Sequence, residues 1–144
     1  MENDFEINEM DLNGEWLRQA VLYNKWAAFA ASANKIQGQL NLDRKILKAR
    51  LYKEAKEAFE KAGKKPTGND LEAEVRTNPA YAKISQDLID AEERTALMDA
   101  GRWSMVEKGK ALEQVCSSRD KGFFMPSESR AGKETKQEQL KEVD

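Results

Sequence analysis

Residues 29–63 read FAASANKIQGQLNLDRKILKARLYKEAKEAFEKAG, and the fold turns on how this stretch is read. Phe29, Leu40, Leu51 and Ala62 recur every eleven residues, as do Ile36, Leu47 and Ala58. An eleven-residue spacing corresponds to about 3.67 residues per turn, which keeps one apolar seam on a nearly straight helix. No proline interrupts residues 13–62, and the only glycines there are Gly14 and Gly38. The pattern predicts one long helix from about Asn13 to Ala62, with a greasy stripe that must be buried against another element. Gly38 is its weak point, worth about 1 kcal/mol relative to alanine, and a candidate bend. Asn13 or Asp11 caps the start, because a short acceptor side chain satisfies the first free amides. Gly63 followed by Lys64-Lys65-Pro66 supplies the stop.

Outward from this helix, Thr67 and Asp70 form a capping box for a short helix through Leu71 to about Arg76. Asn78-Pro79 reads as the cap and first residue of a second long helix, ending near Cys116. Its stripe follows heptads, Ile84, Ala91, Met98, Met105 and Leu112, interleaved with Tyr81, Leu88, Thr95, Arg102, Gly109 and Cys116. Arg102 and Gly109 are defects in that seam, and Cys116 reads as a small apolar group on it rather than a reactive thiol. The expected fold is all-α: a long antiparallel helical hairpin with a short connecting helix. Trp16, Tyr23, Trp26, Phe29, Trp103 and Val106 cannot all enter one two-helix seam, so assembly into an oligomer is expected to bury the remainder. Three regions follow: an acidic segment (1–12), the helical hairpin domain (13–118), and a charged, flexible tail (119–144). The tail carries one apolar cluster, Phe123-Phe124-Met125.

Composition narrows the function. The chain has 144 residues, of which 35% are charged and 40% hydrophobic, and it contains no histidine. That removes the commonest general base and zinc ligand, and every Ser/His or Cys/His nucleophile pair. There is no phosphate-binding glycine loop, and the acids are spread along helix faces without forming a pair. An enzyme is not expected, nor a cofactor or metal. The acidic amino terminus lacks a basic region followed by an apolar one, and no apolar run approaches the roughly 20 residues of a membrane span. With a single cysteine, a cytosolic setting is expected.

Charge is segregated. The net charge of −2 hides six acids and no base in residues 1–15, and ten bases against four acids in residues 35–65. A local basic stripe attracts phosphate even on a slightly acidic chain. The bland account is a solvated helix face laced with i to i+4 pairs such as Arg50–Glu54 and Lys53–Glu57. The acidic start reads first as solubilising charge, ahead of imitating DNA, shielding the basic stripe or meeting a basic partner.

Two short blocks carry a resemblance. Leu22-Tyr23-Asn24-Lys25-Trp26 resembles the LYSKW block of the UvsY-type phage recombination mediators, and Leu47-Lys48-Ala49-Arg50-Leu51 resembles their LKARL block at nearly the same separation. Ser118-Arg119-Asp120-Lys121-Gly122-Phe123 resembles an SRGF segment with two residues inserted. The likeness covers about residues 17–62, whereas the insert from Pro66 to Tyr81 departs from the family. The resemblance implies a protein that binds single-stranded DNA weakly and without sequence preference and assembles into ring-like homo-oligomers. It implies as partners a RecA-type recombinase and the phage single-strand binding protein that the recombinase displaces, in the cytoplasm of the infected host. It assigns DNA contact to Lys48 and Arg50.

At about 100° per residue these two side chains lie about 160° apart, so they are expected to flank the apolar seam on either side. Lys45, Lys56 and Lys53 fall on the Lys48 side, and Arg44 and Lys25 are further candidate DNA contacts, Lys25 within the first block. Each has a plainer account: a solvated lysine for Lys48, an ion pair with Glu54 for Arg50, and helix packing rather than base stacking for Tyr23 and Trp26 beside Lys25. The rival function is a helical scaffolding or assembly adaptor that binds only protein.

Overall fold

The structure, a computed structural model, describes residues 2–122. The expected Phe123-Phe124-Met125 cluster and the tail after it lie outside the described residues. The described chain is all-helical: a 3-10 turn at Glu2–Asp4, then α1 (Leu12–Lys61), α2 (Gly68–Thr77) and α3 (Pro79–Asp120), with no strand among the described residues.

Each boundary has a local cause. Asp11, rather than Asn13, caps α1: its Oδ1 accepts from the Gly14 amide at 3.0 Å while its carbonyl accepts from Glu15. Gly38 does not break the helix, which runs on to Lys61. Gly63, at φ +70°, then closes it with the Gly63 amide on the Glu60 carbonyl and the Lys64 amide on Phe59, a pair of bonds that needs a left-handed residue. Thr67 caps α2 in a reciprocal box with Asp70. Asn78 serves two helices at once. Its amide donates to the Val75 carbonyl at the end of α2, and its Oδ1 accepts from the Ala80 amide at the start of α3, where Pro79 has no N–H to leave unpaired. α3 runs to Asp120 rather than to Cys116, because the Ser sidechains past Cys116 do not break it and the left-handed residue comes only at Gly122.

The described residues divide into two compact units, one built on residues 2–22 and 104–122, the other on Tyr23–Trp103. In the Tyr23–Trp103 unit α1 and α3 run antiparallel: Trp26 meets Gly101, Ala33 lies beside Ala91, and Asn41 lies beside Leu88. A Cβ on Gly101 would fall inside the Trp26 indole, so the missing side chain is what admits the ring. Phe29 packs edge-on against Trp26, centroids 5.6 Å apart. Leu71 and Val75 of α2 are buried in the same unit.

The α3 stripe lies where its heptads predict. Leu88, Ala91, Thr95, Met105 and Leu112 are buried, and Tyr81, Ile84, Met98, Arg102, Gly109 and Cys116 are half-buried. Arg102 fits by turning its guanidinium to Asp99 and over the Trp103 ring. The α1 seam keeps the eleven-residue spacing in a shifted register. Its buried positions are Trp26, Ala30, Ala33 and Leu51, with Gln37, Leu40, Arg44 and Leu47 half-buried, while Phe29 and Ile36 stand at its exposed edge. Small alanines let the helices approach and the Gly101 notch takes the Trp26 indole, so Phe29 and Ile36 do not define the seam.

The other unit is built differently. Met105 and Leu112 are fully buried, and beside them lies a buried ion pair: Lys108 Nζ sits 3.0 Å from Glu15 Oε2, with 3% and 6% of the two side chains exposed. Lys108 also donates to the Asp4 carbonyl at 2.8 Å, and Glu15 Oε1 accepts from Arg18 and from the Asn8 amide. Burial alone pushes the Glu15 carboxyl up, but the Lys108 hydrogen bond, the Asn8 amide and the charges of Lys108 and Arg18 outweigh it and hold the group below its ordinary value. The acidic start of the chain is thereby tied to α3 through Lys108. Gln19 donates to the Met105 carbonyl, and the Trp16 indole N–H donates to Cys116 Sγ at 3.0 Å. Cys116 is thus half-buried and hydrogen-bonded, where a buried apolar thiol was expected.

Candidate nucleic-acid interface

The seven basic residues singled out in the sequence all lie on α1, in the Tyr23–Trp103 unit. The buried seam decides where each one points. Arg44 lies on the seam and is half-buried. Lys45 and Lys56, eleven residues apart, point the same way, with Lys53 beside them on the open side of the helix, and all three are exposed. Arg50 lies further round, also exposed. Lys25 is exposed about 30 Å up the helix from Lys45, at about 1.5 Å per residue.

Lys48 is placed by α2. The Thr67–Asp70 box fixes where α2 begins, and the Asp70 carboxyl is held below its ordinary value by the Thr67 amide first and the Thr67 hydroxyl second. Burial of Leu71 and Val75 then sets the rotation of the helix. Glu72, next to Leu71, meets Lys48 Nζ at 3.1 Å and lies 3.7 Å from Arg76 Nε. The two residues of the LKARL-like block are therefore not equivalent flanks of one seam. Lys48 is half-buried at the edge facing α2, whereas Arg50 faces outward and lies 3.7 Å from Glu54, both well exposed. The shift of seam register and the position of α2 cause the difference, and neither is visible in the helix sequence alone.

The geometry thus spaces Lys45, Lys53 and Lys56 along the open side of α1, sets Arg50 at their margin, and turns Lys48 and Arg44 away. Among the described residues none of Lys45, Lys53 and Lys56 is in an ion pair. Lys64 and Lys65, just past the Gly63 stop, are exposed and extend the basic character of this end of α1. They were countable in the charge run but carry no periodic signal, since they lie outside the helix. Among the described residues no three His, Cys, Asp or Glu side chains converge as a metal site, and no helix is long and apolar enough to cross a membrane.

Such an arrangement can hold a flexible polyanion: ammonium groups on long side chains along one helix face meet phosphates, which carry no sequence information. Comparison with family models, with curated proteins and with solved structures finds no match for this chain.

Proposed function

We propose that this chain binds single-stranded DNA through the strand's phosphates along the open face of α1, and acts as a recombination mediator of the UvsY type. In this role it loads a RecA-type recombinase onto DNA held by the phage single-strand binding protein, in the cytoplasm of the infected host. The observation that carries the reading is the exposed trio Lys45, Lys53 and Lys56 on one side of α1, none of them in an ion pair among the described residues. The resemblance of the Leu22–Trp26 and Leu47–Leu51 blocks supplies the biological setting. Each such site is weak, and several copies in a homo-oligomer, ring-like as in the family, make the binding useful by presenting many of them to one strand.

Titration of a labelled oligonucleotide at several salt concentrations tests this. Replacing Lys45, Lys53 and Lys56 together with alanine is expected to weaken binding alike for every sequence. The log–log salt slope should shrink by about 2, at 0.7 per phosphate contact on a single strand. Replacing Lys48 and Arg50 should shrink it by less than the roughly 1.4 that two phosphate contacts would give, because Glu72 already holds Lys48. An unchanged slope in the triple variant overturns the reading.

A second reading, an adaptor that binds only protein, is favoured by one observation: Ile89, Leu97 and Trp103 on α3 are more than half exposed. It expects assembly with no affinity for oligonucleotides even in dilute buffer.

A further inference from the structure

Single exposed apolar side chains are ordinary on a protein surface, but within the Tyr23–Trp103 unit they form two stripes with opposite charged borders. On α3, Ala82, Ile89, Ala96 and Trp103 recur every seven residues on the side away from the buried Leu88, Ala91 and Thr95, with Ile89 57% and Trp103 61% exposed. At about 100° per residue, Glu92 and Glu93 stand about 50° to either side of this stripe. Both are exposed, and among the described residues neither is in an ion pair. On α1, Leu42, Ile46 and Ala49 form the i, i+4, i+7 stripe of the open face, with Leu42 51% and Ile46 59% exposed. Lys45 borders it on one side and Arg50 on the other, each about 65° round the helix.

We propose that the acid-bordered α3 stripe of one molecule receives the base-bordered α1 stripe of a second copy of this chain. The proposal rests on the self-association in the reading above and not on its DNA binding. Apolar stripes supply the buried area, and the carboxylate and cationic borders fix partner and direction, as flanking charges do between paired helices. Because each stripe points away from the buried seam of its own helix, one copy does not offer both to the same neighbour, and the contact is heterologous. A joined pair keeps one unused α1 stripe and one unused α3 stripe, on different molecules, so copies add head to tail until the rotation closes a ring or a filament grows. The contact covers residues 42–50 and engages Lys45 and Arg50, so in the assembly Lys53 and Lys56, further along α1, are the cations each copy leaves to a strand. The strand's phosphates compete with the neighbour's Glu92 and Glu93 for Lys45.

Light scattering and sedimentation on the full chain, with circular dichroism to confirm helix content, test the contact by charge exchange. Glu92→Lys with Glu93→Lys should weaken association at least tenfold, and Lys45→Glu with Arg50→Glu should do the same. The four changes combined should restore it. A wild-type mass that is monomeric at every concentration, a Glu92/Glu93 variant that assembles like wild type, or a fourfold variant that stays dissociated overturns the proposal. Oligonucleotide titration separates it from the DNA reading. The Glu92/Glu93 variant, with the α1 face intact, should still bind a strand, and the fourfold variant should assemble while binding it at least tenfold more weakly. An assembly that obeys the charge exchange and ignores oligonucleotides leaves this contact standing and removes the DNA reading.

Discussion

Gly38 and Gly101 both sit inside long helices, and the same substitution is expected to act on them with opposite sign. A Cβ at Gly38 meets nothing within 4 Å, so Gly38→Ala gains helix propensity and should stabilise by about 0.5–1 kcal/mol. A Cβ at Gly101 would enter the buried Trp26 ring, which cannot step aside. Gly101→Ala should therefore destabilise by about 1–3 kcal/mol, the usual cost of overpacking. Denaturant midpoints of the two variants check the pair, and equal shifts would contradict the notch. Glu15 and Lys108 make a second case. A carboxylate held below its ordinary 4.5 contributes stability that is fully present above that pH and is lost as pH falls through the lower folded value. Glu15→Gln strands the Lys108 charge in the interior and should cost about 3–5 kcal/mol at neutral pH. The gap from wild type should narrow as pH drops below 4.5. Unfolding curves from pH 3 to pH 7 measure it, and a gap independent of pH would mean that the pair does not hold the fold. Nothing in the sequence marks Lys108, because a lysine on a helix is solvated by default and only the packing of Met105 and Leu112 against α1 buries it.

Among the elements, α2 depends most on its cap. Ten residues are too few for a helix to stand on propensity alone. Thr67→Ala removes the hydroxyl that accepts from the Asp70 amide and is expected to cost about 1 kcal/mol, with Thr67→Ser recovering most of it. Loss of α2 would also release Lys48 from Glu72, so a chemical-shift change at Lys48 in Thr67→Ala would report the uncapping. Caps and stops were legible because they are written in adjacent residues: Asp11, Gly63, Thr67 with Asp70, and Asn78-Pro79. The α3 seam was legible for a similar reason, since its heptads of Ile84, Ala91, Met98, Met105 and Leu112 with Leu88 and Thr95 make the fullest apolar stripe on that helix. The register of the α1 seam was not. That helix carries apolar side chains all round, Leu17, Val21, Leu42 and Ile46 among them, and alanine and glutamine fill seam positions that a hydrophobicity pattern assigns to Phe29 and Ile36.

For the whole molecule, the separation of charge was visible in the sequence and its consequence for the site was only half visible. Ten bases in residues 35–65 announce a positive end of α1. Which of them stay available depends on where α2 lies and where the seam runs, both products of tertiary packing. Lys48 and Arg50 share a five-residue block yet end in different surroundings, whereas Lys45 and Lys56, eleven residues apart, end on one face of α1 about three turns from each other. The two seam periods also set how such a chain can grow. Lengthening the Tyr23–Trp103 unit while keeping every buried side chain inward requires additions of eleven residues in α1, about 16.5 Å, and of seven in α3, about 10.5 Å. Single additions leave the two arms out of step. Two in α1 against three in α3, about 33 Å against 31.5 Å, bring them level. The hairpin's reach is therefore quantised, and insertions of other sizes would have to be absorbed outside the helices, in the turns from Gly63 to Thr67 or at Asn78.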